Sequence, residues 1–252
     1  MSEFPDHFSA RAGAYAAFRP RYPDALFAFL AQTCRARTLA WDCATGNGQA
    51  AVGLAAHFPR VLATDASAAQ IAQAQAHPRI AYRVARAEAS GLADASVDLL
   101  TVAQALHWFD LPAFYAEARR VLKPHGVIAV WTYGAFRFES RALDALMQDF
   151  YANTLGPYWP PARVHVETGY RRLAFPFEEF GAPAFTLDAR LTREALLGYL
   201  GTWSAVGRFK AQRGWDPVEE LATQLDAVWG EAVEHSVRWP LKLRVGWADA
   251  KA

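Results

Sequence analysis

Asp42, Gly46, Gly48, Asp65 and His107 are the residues through which this chain can do chemistry. Both glycines lie in Trp41-Asp-Cys-Ala-Thr-Gly-Asn-Gly48, where an apolar run gives way to a turn. Lacking a Cβ, they let the backbone reverse tightly and come close to a ligand. From 49 to 58 the chain is mostly Ala, Val and Leu, so a helix starts at the turn with its unpaired N–H groups facing whatever binds there. Asp65 ends a second apolar run, Val61-Leu-Ala-Thr. An acid at that point can accept both hydroxyls of a ribose, or it can cap the next helix. The pattern is that of a nucleotide-type ligand site.

Two ligands fit the turn. Gly46, Gly48 and Ala51, followed by Asp65, match the G-x-G-x-x-A fingerprint of dinucleotide sites. Asp42 points elsewhere: a carboxylate at the strand end repels a pyrophosphate and attracts an ammonium, as in the amino acid part of S-adenosylmethionine.

These residues need a scaffold that brings strand ends together. Apolar runs at 39–41, 61–65, 80–85, 96–104 and 127–133 alternate with helical stretches at 49–58, through 76, and at 111–122. Short connections between them predict a Rossmann-like, doubly wound, mostly parallel α/β sheet, with Gly46, Asp65, Ala87 and Gln104 on one edge. Upstream, Pro20 and Pro23 split the chain into a short helix and a second one from Asp24, and Tyr15, Arg19 and Tyr22 are polar-tipped groups this segment can present to the pocket. From 134 to 183 aromatics and prolines dominate, including Tyr158-Trp-Pro-Pro161, which predicts an irregular cap without sheet. Beyond it the expectations are a strand at 185–191, helices at 193–212 and 217–234, and a last strand at 241–247.

Composition narrows the function classes. The 252 residues are 53% hydrophobic and 20% charged with a net charge of +1, and no basic run exceeds two arginines. Nucleic acid and anionic membranes are therefore not expected partners. The opening residues carry no charged and apolar leader pattern and no 18-residue apolar run occurs, so a cytoplasmic protein is expected. Cys34 and Cys43 have neither disulfide-framework nor zinc spacing, so no metal is expected, and Cys43 reads as a small buried hydrophobe.

Trp41-Asp-Cys-Ala-Thr-Gly-Asn-Gly48, Asp65, Ala87-Glu88, Asp98, Gln104-Ala-Leu-His-Trp-Phe109 and Arg120-Val-Leu-Lys-Pro-His-Gly-Val127 resemble, in order, the motifs of class I S-adenosylmethionine-dependent methyltransferases of the type 11 domain. The likeness covers about 38–133, and the 105–109 segment with the opening Tyr15 to Pro23 is similar to the trans-aconitate methyltransferase-like group. It implies a seven-stranded sheet closed by an antiparallel C-terminal strand, S-adenosylmethionine as cofactor and a small-molecule acceptor, first of all a carboxylic acid. Carried over, Asp42 and the backbone of Ala44, Thr45, Gly46, Asn47 and Gly48 would hold the methionine part. Asp65 would hold the ribose, Ala87 and Glu88 would lie at the adenine and Gln104 and Ala105 at the sulfonium, with Ala66, Tyr15 and Arg19 as further candidate cofactor contacts. Arg86 departs from the family where an acid receives the adenine amino group, and His125 replaces a glycine in the Lys-Pro-Gly-Gly turn.

A sulfonium methyl is already electrophilic, so the protein has to align the acceptor and exclude water, work worth roughly 7–11 kcal/mol of barrier. Trp108, Tyr15 and Trp131 are candidate aromatic faces for the cation. His107 is the candidate catalytic base, or a contact to an anionic acceptor; otherwise it hydrogen-bonds only within its loop. Trp108, Tyr133, Tyr158, Trp159 and Trp203 are candidate acceptor contacts, with Arg137 or Arg163 as carboxylate partners. Three regions are expected: the core at 1–133, a cap at 134–183, and 184–252 completing the sheet, as a monomer or homodimer. The competing readings are a non-catalytic sensor or scaffold of the same fold and a nicotinamide oxidoreductase.

Overall fold

The computed structural model describes residues 21–248. Tyr15, Arg19 and the first expected helix lie outside the described residues.

Five parallel strands form the core of one sheet: β1 (Ala40–Cys43), β2 (Val61–Asp65), β3 (Ile80–Val84), β4 (Val97–Ala103) and β5 (Leu122–Tyr133), in the order β3-β2-β1-β4-β5. β9 (Glu234–Trp247) runs antiparallel beside β5, and β8 (Phe185–Thr192) runs antiparallel beside β9, hence parallel to the core. These seven make the sheet that the sequence predicts. Two short strands add to it: β6 (Arg137–Phe138) and β7 (Glu178–Glu179), both on β9. The cap is therefore not free of sheet. β9 also begins well before residue 241, because its first half pairs with β8 from Glu234 onward.

Strand residues alternate between two cores, as the period of two requires. Ala40, Val61, Ala63, Leu99, Val127, Ala129 and Trp131 pack on one face, under α1 (Asp24–Thr33) and α2 (Gln49–Ala55). Leu39, Trp41, Cys43, Leu62, Leu100, Val102, Ile128 and Val130 pack on the other, under α4 (Leu111–Val121). Burial on both faces explains the continuous apolar runs. A further tie is Asp98, which accepts from the Thr38 and Leu39 N–H groups and from Lys123 Nζ, fastening the start of β4 to β1 and to the turn after α4. His125 in that turn has φ +61°, the left-handed conformation that favours the glycine of the family pattern.

The helix after β2, α3 (Ala68–Ala72), is shorter than its alanine content suggests, and it buries no residue. Without an apolar face to pack, alanine propensity alone sustains little more than a turn. In the C-terminal region the expected single helix at 193–212 is two, α7 (Arg193–Gly201) and α8 (Ser204–Arg213), broken at Thr202 and Trp203. α9 (Pro217–Asp226) stops short of 234, where β9 takes over. In the cap lie α5 (Arg141–Asp149), a π-helical turn at Phe150–Thr154, a 3-10 turn at Gly156–Tyr158 and α6 (Arg163–Glu167).

Candidate active site

The carboxyl ends of β1, β2 and β4 meet at one edge, and three left-handed residues shape it. Ala44, Gly46 and Gly48 have φ of +54°, +58° and +90°, so the loop after β1 coils tightly on itself, with the Thr45 N–H donating to the Thr64 carbonyl and the Gly48 N–H to the Thr45 carbonyl. A Cβ on Gly48 would lie 2.4 Å from Tyr82 Oη, so β3 closes over the turn as tightly as glycine permits. Asp65 spans the turn: Oδ2 accepts from the Gly46 N–H at 2.9 Å and Oδ1 from the Ser67 N–H at 2.8 Å. Ser67, not Asp65, is the side-chain cap of α3.

Asp42 is not open to the crevice. Its carboxylate has no exposed surface and accepts from Thr45 Oγ1 at 2.5 Å and Thr101 Oγ1 at 2.8 Å. Burial raises its pKa to about 6, against the opposing hydrogen bonds of the two hydroxyls. The expected direct contact with an ammonium is thus corrected: Asp42 sits beneath the turn and acts on it through Thr45. The thiol of Cys43 beside it is fully buried, and desolvation pushes its pKa up, in keeping with an inert side chain.

Ala66 and Asn47 line the same edge in half-buried positions, and Ala87 is buried at its side. Glu88 accepts from the Asp110 N–H and pairs with Arg86 Nε at 3.3 Å. Arg86, 68% exposed, therefore leans out over Glu88 rather than into the edge.

Gln104, just past β4, is left-handed with φ +61°. Its amide is spent on β5: Nε2 donates to the Tyr133 carbonyl at 3.1 Å, and Oε1 accepts from Thr132 Oγ1. A non-glycine residue in this conformation costs about 1–2 kcal/mol, and the two side-chain bonds hold it there. The strained backbone then carries Ala105 and the 3-10 turn Leu106–Trp108, and with it His107.

His107 meets a residue that sequence patterns do not single out. Its Nδ1 lies 3.1 Å from Tyr170 Oη, and its ring stands 4.7 Å from the ring of Trp108. Tyr170 is fully buried with φ +62°, and its carbonyl accepts from Arg244 Nη1. Desolvation, with the charges of His165 and Arg163, lowers the His107 pKa to about 4, so the imidazole is neutral at pH 7.

Trp159, Trp203 and Tyr151 form an aromatic wall: Trp159 and Trp203 rings are 5.4 Å apart, and Tyr151 lies 4.9 Å from Trp159. The Arg163 Cζ lies over this wall, 4.5 Å from the Trp159 centroid, with Nε donating to Tyr151 Oη at 2.8 Å. Tyr133 is buried at the end of β5 against Tyr22.

Three expected site residues lie elsewhere. Tyr158 packs on Phe209 and accepts from Arg213 Nε, tying the cap to α8. Arg137 is 56% exposed on β6 and pairs with Asp144, away from the crevice. Trp131 is fully buried with its ring against Tyr22 and Phe27, so neither face is offered to a cation. Aromatic and cationic types alone could not tell these from Trp159 and Arg163. Tyr170 carries no signal in the sequence because its partner His107 lies 63 residues away in the chain, and Tyr151 and His165 stand in no recognisable motif.

The sequence matches the family model described as a methyltransferase domain over residues 41–130. A Dictyostelium discoideum protein provisionally named a methyltransferase is 33% identical over 227 residues, 89% of this chain and 86% of that protein. Among solved structures, a provisionally named type II methyltransferase from Anaeromyxobacter dehalogenans is 49% identical, superposes with a TM-score of 0.88, and covers 92% of this chain and 99% of its own. A Haemonchus contortus phosphoethanolamine N-methyltransferase, crystallised with S-adenosylhomocysteine, shares the fold at a TM-score of 0.50 and 15% identity, over 99% of this chain and 61% of its own. With its strand order, its glycine turn and these relatives, the chain belongs to the class I S-adenosylmethionine-dependent methyltransferases.

Proposed function

We propose that the chain methylates an oxygen of a small carboxylic acid, bound between the β4 and β5 ends and the aromatic cap. The observation that carries this reading is His107, held on Tyr170 beside Gln104 as a neutral imidazole with a pKa of about 4. Desolvation holds such a group below the ordinary proton affinity of a histidine, which makes it a poor base for a phenol. A carboxylate is already a nucleophile at neutral pH and needs no base. His107 then serves by contact, donating or accepting one hydrogen bond to the acceptor.

The residues of the donor edge fit S-adenosylmethionine. The turn has glycine where a Cβ would clash, a coiled backbone held in shape by its own hydrogen bonds, and in Asp65 a carboxylate that can accept a diol beside its two N–H partners. The cofactor supplies an activated methyl group. Asp42 holds the turn in shape through Thr45, and Asp65 orients the ribose while bracing Gly46. Ala87 offers an apolar side to the adenine and Gln104 fixes the backbone between donor and acceptor. Trp159 and Trp203 cover the acceptor and keep water out.

The test is transfer of a labelled methyl from S-adenosylmethionine into a panel of small acids, phenols and amines. Label in a base-labile ester supports the reading; label only in amines or carbons contradicts it. His107→Ala should weaken acceptor affinity, turnover or both, and unchanged values for both would remove His107 from the site.

A further inference from the structure

The guanidinium of Arg163 is gripped along one edge and offered along the other. Nε donates to Tyr151 Oη, and Glu167 Oε1, which also accepts from that hydroxyl, lies 3.9 Å from Nε. Cζ lies over the Trp159 ring. Nη2 stands 3.9 Å from where a Cβ on Gly134 would be, at the end of β5, and no described residue accepts from Nη1 or Nη2. Two residues along α6, His165 has a buried Nδ1 with no hydrogen-bond partner. Both lie close enough to His107 for charge on them to add to the desolvation that lowers its proton affinity. Buried polar atoms are seldom left unpaired, and a stacked guanidinium with a bare fork is built for bidentate oxyanion binding.

We propose that the Arg163 guanidinium forms an oxyanion clamp, in which the acceptor's anionic group is held beside Trp159 and Trp203, so that Arg163 selects acids over neutral molecules. The proposal rests on the methyl-transfer reading for its site but not for its test. A stacked fork favours a planar, conjugated carboxylate, and a phosphomonoester would share the same oxyanion chemistry.

Binding separates these. Cinnamate, 4-hydroxybenzoate and phenyl phosphate, with cinnamamide, 4-hydroxybenzamide and benzyl alcohol as neutral counterparts, are titrated calorimetrically into the protein saturated with S-adenosylhomocysteine. At least one anion should bind roughly tenfold or more tightly than its neutral counterpart. Arg163→Gln should erase that preference while S-adenosylhomocysteine affinity stays unchanged, and Arg163→Lys should keep only part of it. If Arg163→Gln folds poorly, Gly134→Val, which fills the space before Nη2 and leaves the guanidinium in place, should give the same loss. A preference for carboxylates over phenyl phosphate identifies the acid class, and the reverse identifies a phosphomonoester. No binding of any anion, equal binding of anions and neutral counterparts, or a preference that survives both variants overturns the clamp. If label enters acids in the transfer assay while Arg163→Gln binds them normally, the clamp falls and methyl transfer to acids stands. Arg163-dependent anion binding with label only in amines leaves the clamp standing and removes methyl transfer to acids.

Discussion

The donor edge and the acceptor edge of this site are built on different principles. At the donor edge, loops after β1, β2 and β4 place Gly46, Asp65 and Gln104 on hydrogen bonds to backbone or near neighbours. The parallel sheet sets their positions to within one strand spacing. At the acceptor edge, Arg163, Trp159 and Tyr170 come from short turns and a five-residue helix of the cap and Trp203 from the break between α7 and α8, fixed by ring contacts and a few long-range bonds. A backbone-built site tolerates little change, whereas a side-chain-built one can be altered residue by residue. On the proposed reading the first region would hold the methyl donor, and the second could vary to suit the acceptor.

This contrast predicts the largest losses at the donor edge. Gly48→Ala places a Cβ 2.4 Å from Tyr82 Oη at φ +90°, and about 2–4 kcal/mol of S-adenosylhomocysteine affinity or of stability should be lost, read by calorimetry and thermal melting. Asp42→Asn leaves one of two hydroxyls facing an amide instead of a carboxylate, which should cost about 1–3 kcal/mol of stability.

The two buried titratable groups sharpen the comparison, because their pH effects oppose each other. Asp42, raised to about 6, keeps its proton in the native state where the unfolded chain has lost it, so its contribution falls as pH rises from about 4 through 6. His107, lowered to about 4, stays neutral where the unfolded chain takes a proton below about 6.5. Its contribution therefore falls as pH drops from 6.5 through 4. The wild type should show a shallow profile between about pH 4 and 6.5. Thermal melting of His107→Asn should reveal stability that declines as pH rises across this window, and Asp42→Asn the reverse slope. Parallel profiles for the two variants would show that neither group titrates as described. At the small end, Tyr158→Phe and Arg137→Ala should leave acceptor and cofactor affinity unchanged within about 0.5 kcal/mol.

Much of the donor edge is legible in the sequence because its signals are local. Apolar runs mark strands buried on both faces, glycines mark the turn, and Asp65 follows its own strand directly. Even there the order of residues hides a physical detail, since an acid beside a glycine turn reads as a ligand contact while Thr45 and Thr101 cover it. Nothing in the spacing of Thr101 announces that it faces Asp42 across two strands. The cap is legible only as a region. Arg163 and Arg137 are alike as letters, yet one lies on Trp159 and the other pairs with Asp144 in solvent. Burial and long-range packing decide between them, and neither has a period in the sequence.

Independence of the two edges is the central claim. Calorimetric titration of S-adenosylhomocysteine into wild type, Asp65→Asn and Arg163→Gln tests it in one experiment. Independent edges predict a loss of roughly tenfold or more for Asp65→Asn, whose carboxylate braces Gly46 and on the proposed reading would meet the ribose, and no change for Arg163→Gln. Wild-type affinity in Asp65→Asn, or weakened cofactor binding in Arg163→Gln, would contradict it.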